Sequence, residues 1–283
     1  VELGRIGIWW GGTWRADGDG EPSAAPEVEE LGYSTLWSSG RFDPGISPHF
    51  EQLLAATKQA RVASGVVSIW HSTPEQTAQG VTELEERYPG RFVLGLGASH
   101  GPLVPDYHRP YSKMVGYLDS LDALGGVVSR DRRMLAALGP KMLRLAAERA
   151  AGAHPYFVPV EHTERARKIL GQGPLLAPEV TVLLEHDPER ARARARSFTS
   201  GYLGLPNYAN NIRTLGFDED DVRDGGSDRL VDSVIGWGTV EQVAAHVRRH
   251  LDAGADHVCI QVLADANGGF PLTQYRELAA ALL

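Results

Sequence analysis

A chain of 283 residues, 42% hydrophobic and 23% charged, has the balance of a globular domain, and no run approaches the roughly 18 apolar residues that a transmembrane helix needs. A formal charge of −8 argues against the basic surface of a nucleic-acid binder and favours a small-molecule partner, and the composition suggests no membrane protein. The single cysteine, Cys259, excludes an internal disulfide and a cysteine-based zinc site, which fits a reducing, cytoplasmic location.

Strand-like and helix-like segments alternate along the chain. Residues 5–10 read as a first strand and 24–31 as a first helix; 34–38 with 49–60, 62–70 with 74–88, and 92–97 with 113–123 follow as pairs. The pattern continues through 134–138 with 141–150, 155–158 with 161–170, and 180–184 with 188–200. Residues 240–253 then supply an eighth helix and 257–262 an eighth strand. Most strand candidates are continuous apolar runs, as expected of strands buried on both faces. Helix starts are signalled by Thr73-Pro74-Glu75-Gln76 and Asp187-Pro188-Glu189. Helix ends are signalled by Gly32, Gly152, Gly171 and Gly254, where a left-handed cap suits glycine.

Eight strand–helix units in order predict an α/β fold, a (β/α)8 TIM barrel, with an open doubly wound sheet as the competitor. The chain reads as one barrel domain over residues 1–283 with a long insertion at about 201–236. Insertions of that length are usually lids or binding loops. Within the insertion, Asp218-Glu219-Asp220-Asp221 reads as a solvated acidic loop. Before it, Arg190, Arg192, Arg194 and Arg196 read as a solvated helix surface.

The richest functional stretch is Arg91-Phe92-Val93-Leu94-Gly95-Leu96-Gly97-Ala98-Ser99-His100-Gly101, a strand that runs into a glycine-rich turn. One reading is a nucleophile elbow with Ser99 as a serine-hydrolase nucleophile. The other is a cofactor cradle in which glycines let the main chain approach a ligand. An elbow requires a helix directly after Ser99, and Pro102, Pro105 and Pro110 oppose that. The ten histidines show no metal-ligand spacing, so no metal is expected. Trp9-Trp10, Trp37 and Trp70 fall at or near strand ends, where indoles either pack beneath loops or face a flat ligand.

Several segments together resemble the luciferase-like monooxygenase superfamily, especially its oxidoreductases that use the deazaflavin coenzyme F420. These are Ala63-Ser64-Gly65-Val66-Val67-Ser68-Ile69-Trp70 before Thr73-Pro74, and Tyr88-Pro89-Gly90-Arg91 leading into the strand above. Leu135-Ala136-Ala137-Leu138-Gly139-Pro140-Lys141, Gly238-Thr239-Val240-Glu241-Gln242-Val243 and Ala253-Gly254-Ala255-Asp256-His257 complete the set. The resemblance implies a luciferase-like TIM barrel, usually a homodimer, with coenzyme F420 as cofactor and FMN as the alternative.

It also implies a cis peptide at Gly65–Val66 bulging against the cofactor ring, with Gly97, Ala98 and Ser99 lining the ring site. The phosphate would lie over Ala137, Leu138 and Gly139, and Trp37 and Ser39 at the end of strand two would complete the cofactor-binding set. Some relatives carry an acid or histidine at the end of strand two and a glutamate after the strand-four turn. Here those positions hold Ser38-Ser39 and His100, which leaves His100 as the candidate general acid or substrate-orienting group. The implied activity is hydride transfer between F420 and a small organic substrate. An FMN-dependent monooxygenase is the second reading, and a hydrolase through Ser99 the third.

Overall fold

A computed structural model describes residues 1–12, 23–42, 45, 47–126, 128–264 and 269–283. Its strands are β1 (Ile6–Trp9), β2 (Thr35–Ser38), β3 (Arg61–Ser64), β4 (Val67–Ser68), β5 (Phe92–Gly97) and β6 (Arg133–Leu135). They continue as β7 (Gly152–Ala153), β8 (Leu175–Leu176), β9 (Glu179–Leu183), β10 (Gly236–Trp237) and β11 (Val258–Val262). Every pairing among them is parallel.

One predicted strand is split in two, and another gains a short strand before it. The third breaks into β3 and β4 at Gly65–Val66, whose peptide bond is cis. The seventh is preceded by β8, with Ala177 and Pro178 between it and β9; Pro178 has no N–H to give to the ladder. The strand order runs β10-β9-β11-β1-β2-β3-β5-β6-β7-β8, so the two residues between β8 and β9 link the last strand of the ladder to the strand beside its first.

The barrel interior holds Trp37, Ala63, Val93, Met134, Ala177 and Cys259. A larger apolar layer lies between the strands and the surrounding helices. β5 is buried at all six positions, which explains its unbroken apolar run. Among the described residues, no helix is long and apolar enough to cross a membrane.

The helix signals behave as the chemistry requires. Thr73 caps Pro74–Arg87 with a reciprocal bond to Gln76, and Asp187 accepts from the Arg190 N–H. Gly32, Gly171 and Gly254 take positive φ angles of 101°, 72° and 103° after their helices. Gly152 is different: it lies in β7, where a Cβ would collide with the Leu175 carbonyl.

Other expectations are corrected. The sixth strand is β7, a few residues before the predicted 155–158, because Pro155 and Pro159 cannot donate to a ladder. The segment at 201–236 is not loop: it folds into helices Pro206–Arg213, Glu219–Val222 and Asp228–Val234. The acidic run starts one of these helices, with Asp218 as its N-cap and Asp221 paired to Arg229. The alternating arginines tie the segment down. Arg192 grips Asp232 at 2.6 Å, Arg196 pairs with Asp228, and Arg194 donates to the Ala264 carbonyl at 2.8 Å. A helix at Leu272–Leu282, not anticipated from the sequence, follows β11, and its Tyr275 hydroxyl bonds the Ile260 carbonyl and the Val262 N–H.

Candidate active site at the carboxyl end of the barrel

A cavity of about 330 Å³ opens at the carboxyl ends of β1, β3, β5, β6 and β7. Gly65 and Val66 form one part of its wall, Gly97, Ala98, Ser99 and His100 another, and Ala137 and Leu138 a third. Three expected site residues fall outside the lining. Trp37 is fully buried below it, donating from Nε1 to His257 Nε2 at 3.0 Å and stacked on His154 with ring centroids 4.2 Å apart. Ser39 is exposed beyond β2, and Gly139 stands at the start of the helix Pro140–Arg149.

Glycines let β3 and β5 approach. A Cβ on Gly95 would collide with the Ser64 carbonyl, and one on Gly97 would lie 2.5 Å from Val66 Cγ2. Ser64 Oγ donates to the Gly95 carbonyl at 2.9 Å and accepts from its N–H at 2.8 Å, which fixes the register beside the cis bond. Gly65 has its own reason to be glycine, since a Cβ there would sit 2.5 Å from the Trp9 indole nitrogen. That nitrogen donates to the Gly65 carbonyl at 3.1 Å. Val66 is thereby held across the end of β5 as a cavity wall.

The turn after β5 has two of its carbonyls engaged. Trp70 Nε1 donates to the Ala98 carbonyl at 2.8 Å and the Tyr107 hydroxyl to the Ser99 carbonyl at 3.3 Å. Ser99 sits in the left-handed region at φ 55°. The chain then makes a three-residue 3-10 turn, Gly101–Leu103, and the next α-helix begins only at Pro110. The strand-to-helix turn of a nucleophile elbow is therefore not present, and His100 is engaged with Asn207 rather than with Ser99.

Gly139, the N-cap of the ten-residue helix Pro140–Arg149, has no side chain with which to cap its free N–H groups, and a Cβ there would point into open space. Leu138 is held in place by His162 Nε2 at its carbonyl, 2.9 Å away. Unsatisfied N–H groups and the helix dipole make this position suited to an anion.

Two histidines and a tyrosine pair are among the polar groups that line the cavity. His100 Nδ1 lies 2.8 Å from Asn207 Oδ1, an acceptor, so Nδ1 carries the proton and Nε2 keeps a bare lone pair. Desolvation lowers the pKa of His100, an effect partly offset by that hydrogen bond. His154 Nδ1 donates to the Ala177 carbonyl at 2.7 Å, and burial pushes its pKa down to about 4. The Tyr156 hydroxyl donates to Gln261 Oε1 at 2.7 Å and lies 2.8 Å from the Tyr202 hydroxyl. Nearby, the fully buried Glu179 accepts from Thr181 Oγ1 at 2.5 Å, and burial raises its carboxyl to about 7.

Several lining residues were not among the expected ones. Trp9 could be found as a strand-end indole, but His154 and Tyr156 were hidden by the misplaced sixth strand. Tyr202, Asn207 and Tyr208 come from the segment read as loop. Its tyrosines interlock with the barrel: Tyr202 packs on Tyr156 at 5.2 Å and on Tyr208 at 5.4 Å.

Comparison with known proteins places this geometry. No curated protein matches the sequence. Among solved structures, an F420-dependent secondary alcohol dehydrogenase in complex with an F420–acetone adduct superposes with a TM-score of 0.72 at 14% identity, covering 100% of both chains. The coenzyme F420-dependent tetrahydromethanopterin reductase from Methanopyrus kandleri gives 0.66 at 15% identity over 100% of this chain and 99% of that one. The oxygenating constituent of 3,6-diketocamphane monooxygenase from Pseudomonas putida, a type II Baeyer–Villiger enzyme in complex with FMN, gives 0.63 at 16% identity over 99% and 98%. At these identities the likeness is one of fold, and it agrees with the parallel barrel described above. The family model for luciferase-like monooxygenases matches residues 21–257, a span that contains β2 through β10 and the wall contributed by Gly65, Val66 and the turn after β5, so the chain belongs to the luciferase-like monooxygenase family.

Proposed function

We propose that this protein is an oxidoreductase that moves a hydride between the deazaflavin coenzyme F420 and a small organic substrate. The observation that carries the reading is the cradle in which Val66, after the cis Gly65–Val66 bond, faces the glycine-opened end of β5. A flat ring needs one broad apolar wall and main chain that comes close, and this cradle supplies both. The open N-terminus of Pro140–Arg149, beside Leu138 and Gly139, suits the phosphate of such a cofactor.

The bound coenzyme supplies the redox chemistry, accepting or giving a hydride at its ring. The chain's residues supply position and proton handling. His100, neutral and with Nε2 bare, accepts the proton of a substrate hydroxyl, or returns it in the reverse direction. Trp9, Leu138, Met142 and Tyr208 line the cavity and keep water from the reacting atoms.

Two of the similar structures are F420-dependent enzymes, which supports this coenzyme; the FMN complex of the third supports an FMN-dependent monooxygenase as the second reading. Titrating the purified protein with F420 and with FMN, while following tryptophan fluorescence, separates them. Trp9 in the wall should be quenched on saturation, and F420 should bind more tightly. No binding of either coenzyme at about 100 μM would overturn the proposal.

A further inference from the structure

In the cavity wall, one buried polar atom has no hydrogen-bond partner among the described residues. His154 is 2% exposed and lines the cavity, yet its Nε2 makes no hydrogen bond. Everything else about the ring is fixed. Trp37 stacks on one face with only 13° between the planes, and the Ala177 carbonyl takes the Nδ1 proton. Since Nδ1 donates, Nε2 must be the unprotonated acceptor. It lies 3.3 Å from the place where a Cβ of Gly65 would be, so it stands beside the cis bond, next to the wall against which the cofactor ring is proposed to rest.

An unsatisfied buried acceptor is costly, and of the seven buried unpartnered side-chain atoms among the described residues only that of His154 belongs to a residue lining the cavity. Its place in the cavity wall indicates its use: a ligand with an N–H donor completes the hydrogen bond. We infer that His154 Nε2 is a cofactor-recognition atom, accepting the N–H that lies between the two carbonyls of the pyrimidinedione ring. The inference rests on the proposed function, because both F420 and FMN carry that group.

His154 thus orients the ring in its plane and takes no part in proton transfer. Trp37, expected from the sequence to touch the cofactor directly, acts one layer lower by holding the His154 ring.

The test uses the full-length protein and whichever of F420 and FMN binds it more tightly. His154→Phe keeps a flat ring on Trp37 but removes the acceptor, and should weaken coenzyme binding roughly five- to tenfold. Methylating the pyrimidinedione nitrogen of the coenzyme should weaken binding to the wild type and have much less further effect on the variant. Such coupling is not expected of a merely structural residue. If His154→Phe does not fold, wild-type protein labelled with 15N-histidine gives the same answer, because the His154 Nε2 resonance should move upfield when the coenzyme is added. Coenzyme binding with that resonance unmoved, or with equal affinity in the variant, would overturn this inference alone. A wild type that binds neither coenzyme would overturn the proposed function, and this inference with it.

Discussion

Gly97→Ala tests whether the close approach of β5 to Val66 shapes the cavity. The added Cβ would lie 2.5 Å from Val66 Cγ2 and 3.4 Å from Ala136 Cβ. Carbon atoms pack at about 3.5–4.0 Å, so the first contact must open by about 1–1.5 Å. β5 is buried throughout and locked to Ser64 through Gly95, so Val66 is the part that gives way, towards the cavity. Overpacking of this kind costs about 1–3 kcal/mol. With an unfolding entropy of about 2.1 cal/mol/K per residue over 283 residues, or about 0.6 kcal/mol/K, the melting temperature should fall by about 2–5 °C. Coenzyme affinity should fall by about tenfold, the equivalent of about 1.4 kcal/mol, as the wall intrudes on the ring site. Gly116→Ala is the control: it is a helical glycine with open space around its Cβ position, so the change should stabilise by about 0.5–1 kcal/mol and leave binding unchanged. Thermal melts and fluorescence titrations of both variants provide the readout. A Gly97→Ala protein that melts and binds like the wild type would refute the reasoning.

Other expectations concern the histidines and Ser99. With His100 as the base, the rate of substrate oxidation should rise with pH through a pKa below the ordinary 6.5, and His100→Gln should remove that limb and lower kcat by about 10²–10⁴; an unchanged profile would exclude the role. Ser99→Ala should retain most turnover, and a fluorophosphonate should not label Ser99, whereas abolished activity with labelling of the wild type would restore the hydrolase reading. His154, His162, His246 and His257 are all buried with pKa values pushed to about 4 from 6.5. Each stays neutral in the fold while the unfolded chain takes up a proton, so this stability is complete above about pH 6.5. It is lost as pH falls towards 4, at up to about 1.4 kcal/mol per pH unit per histidine. Glu179, raised to about 7 from 4.5, acts in the opposite sense: its contribution is complete below 4.5 and lost as pH rises to 7, one group against four. Denaturant melts should therefore show stability increasing from pH 5 to 6.5, and a flat or falling trend over that range would contradict the burial of these rings.

The barrel was legible in the sequence where strands are long and buried on both faces, as in β5, and where helices carry explicit caps, as at Thr73 and Asp187. It was less legible where a strand contributes only two residues. β7 is Gly152–Ala153, and the aromatic and β-branched run after it resembles a strand more than β7 does, although its prolines cannot join a ladder. That misplacement concealed His154 and Tyr156. The segment at 201–236 gave little helical signal because its helices are only four to eight residues long, too short for a period of 3.6 to show. Its fold depends on distant partners such as Asp232 with Arg192, which a local pattern does not reveal. Of the expected site, the glycine-rich turn marked the residues after β5 and the family resemblance supplied those after β3 and β6, and all but Gly139 line one cavity. Trp37 was found for its position at a strand end but faces the barrel interior, where the alternation along β2 places it.

The central claim is that the wall formed by Val66 and the end of β5 receives a flat redox coenzyme. A crystal structure with F420 bound tests it most directly. The account expects the ring against Val66 beside Ala98 and Ser99, the phosphate over Leu138 and Gly139, and the pyrimidinedione N–H within hydrogen-bonding distance of His154 Nε2. A coenzyme bound elsewhere on the barrel, with this cavity holding only water, would contradict it.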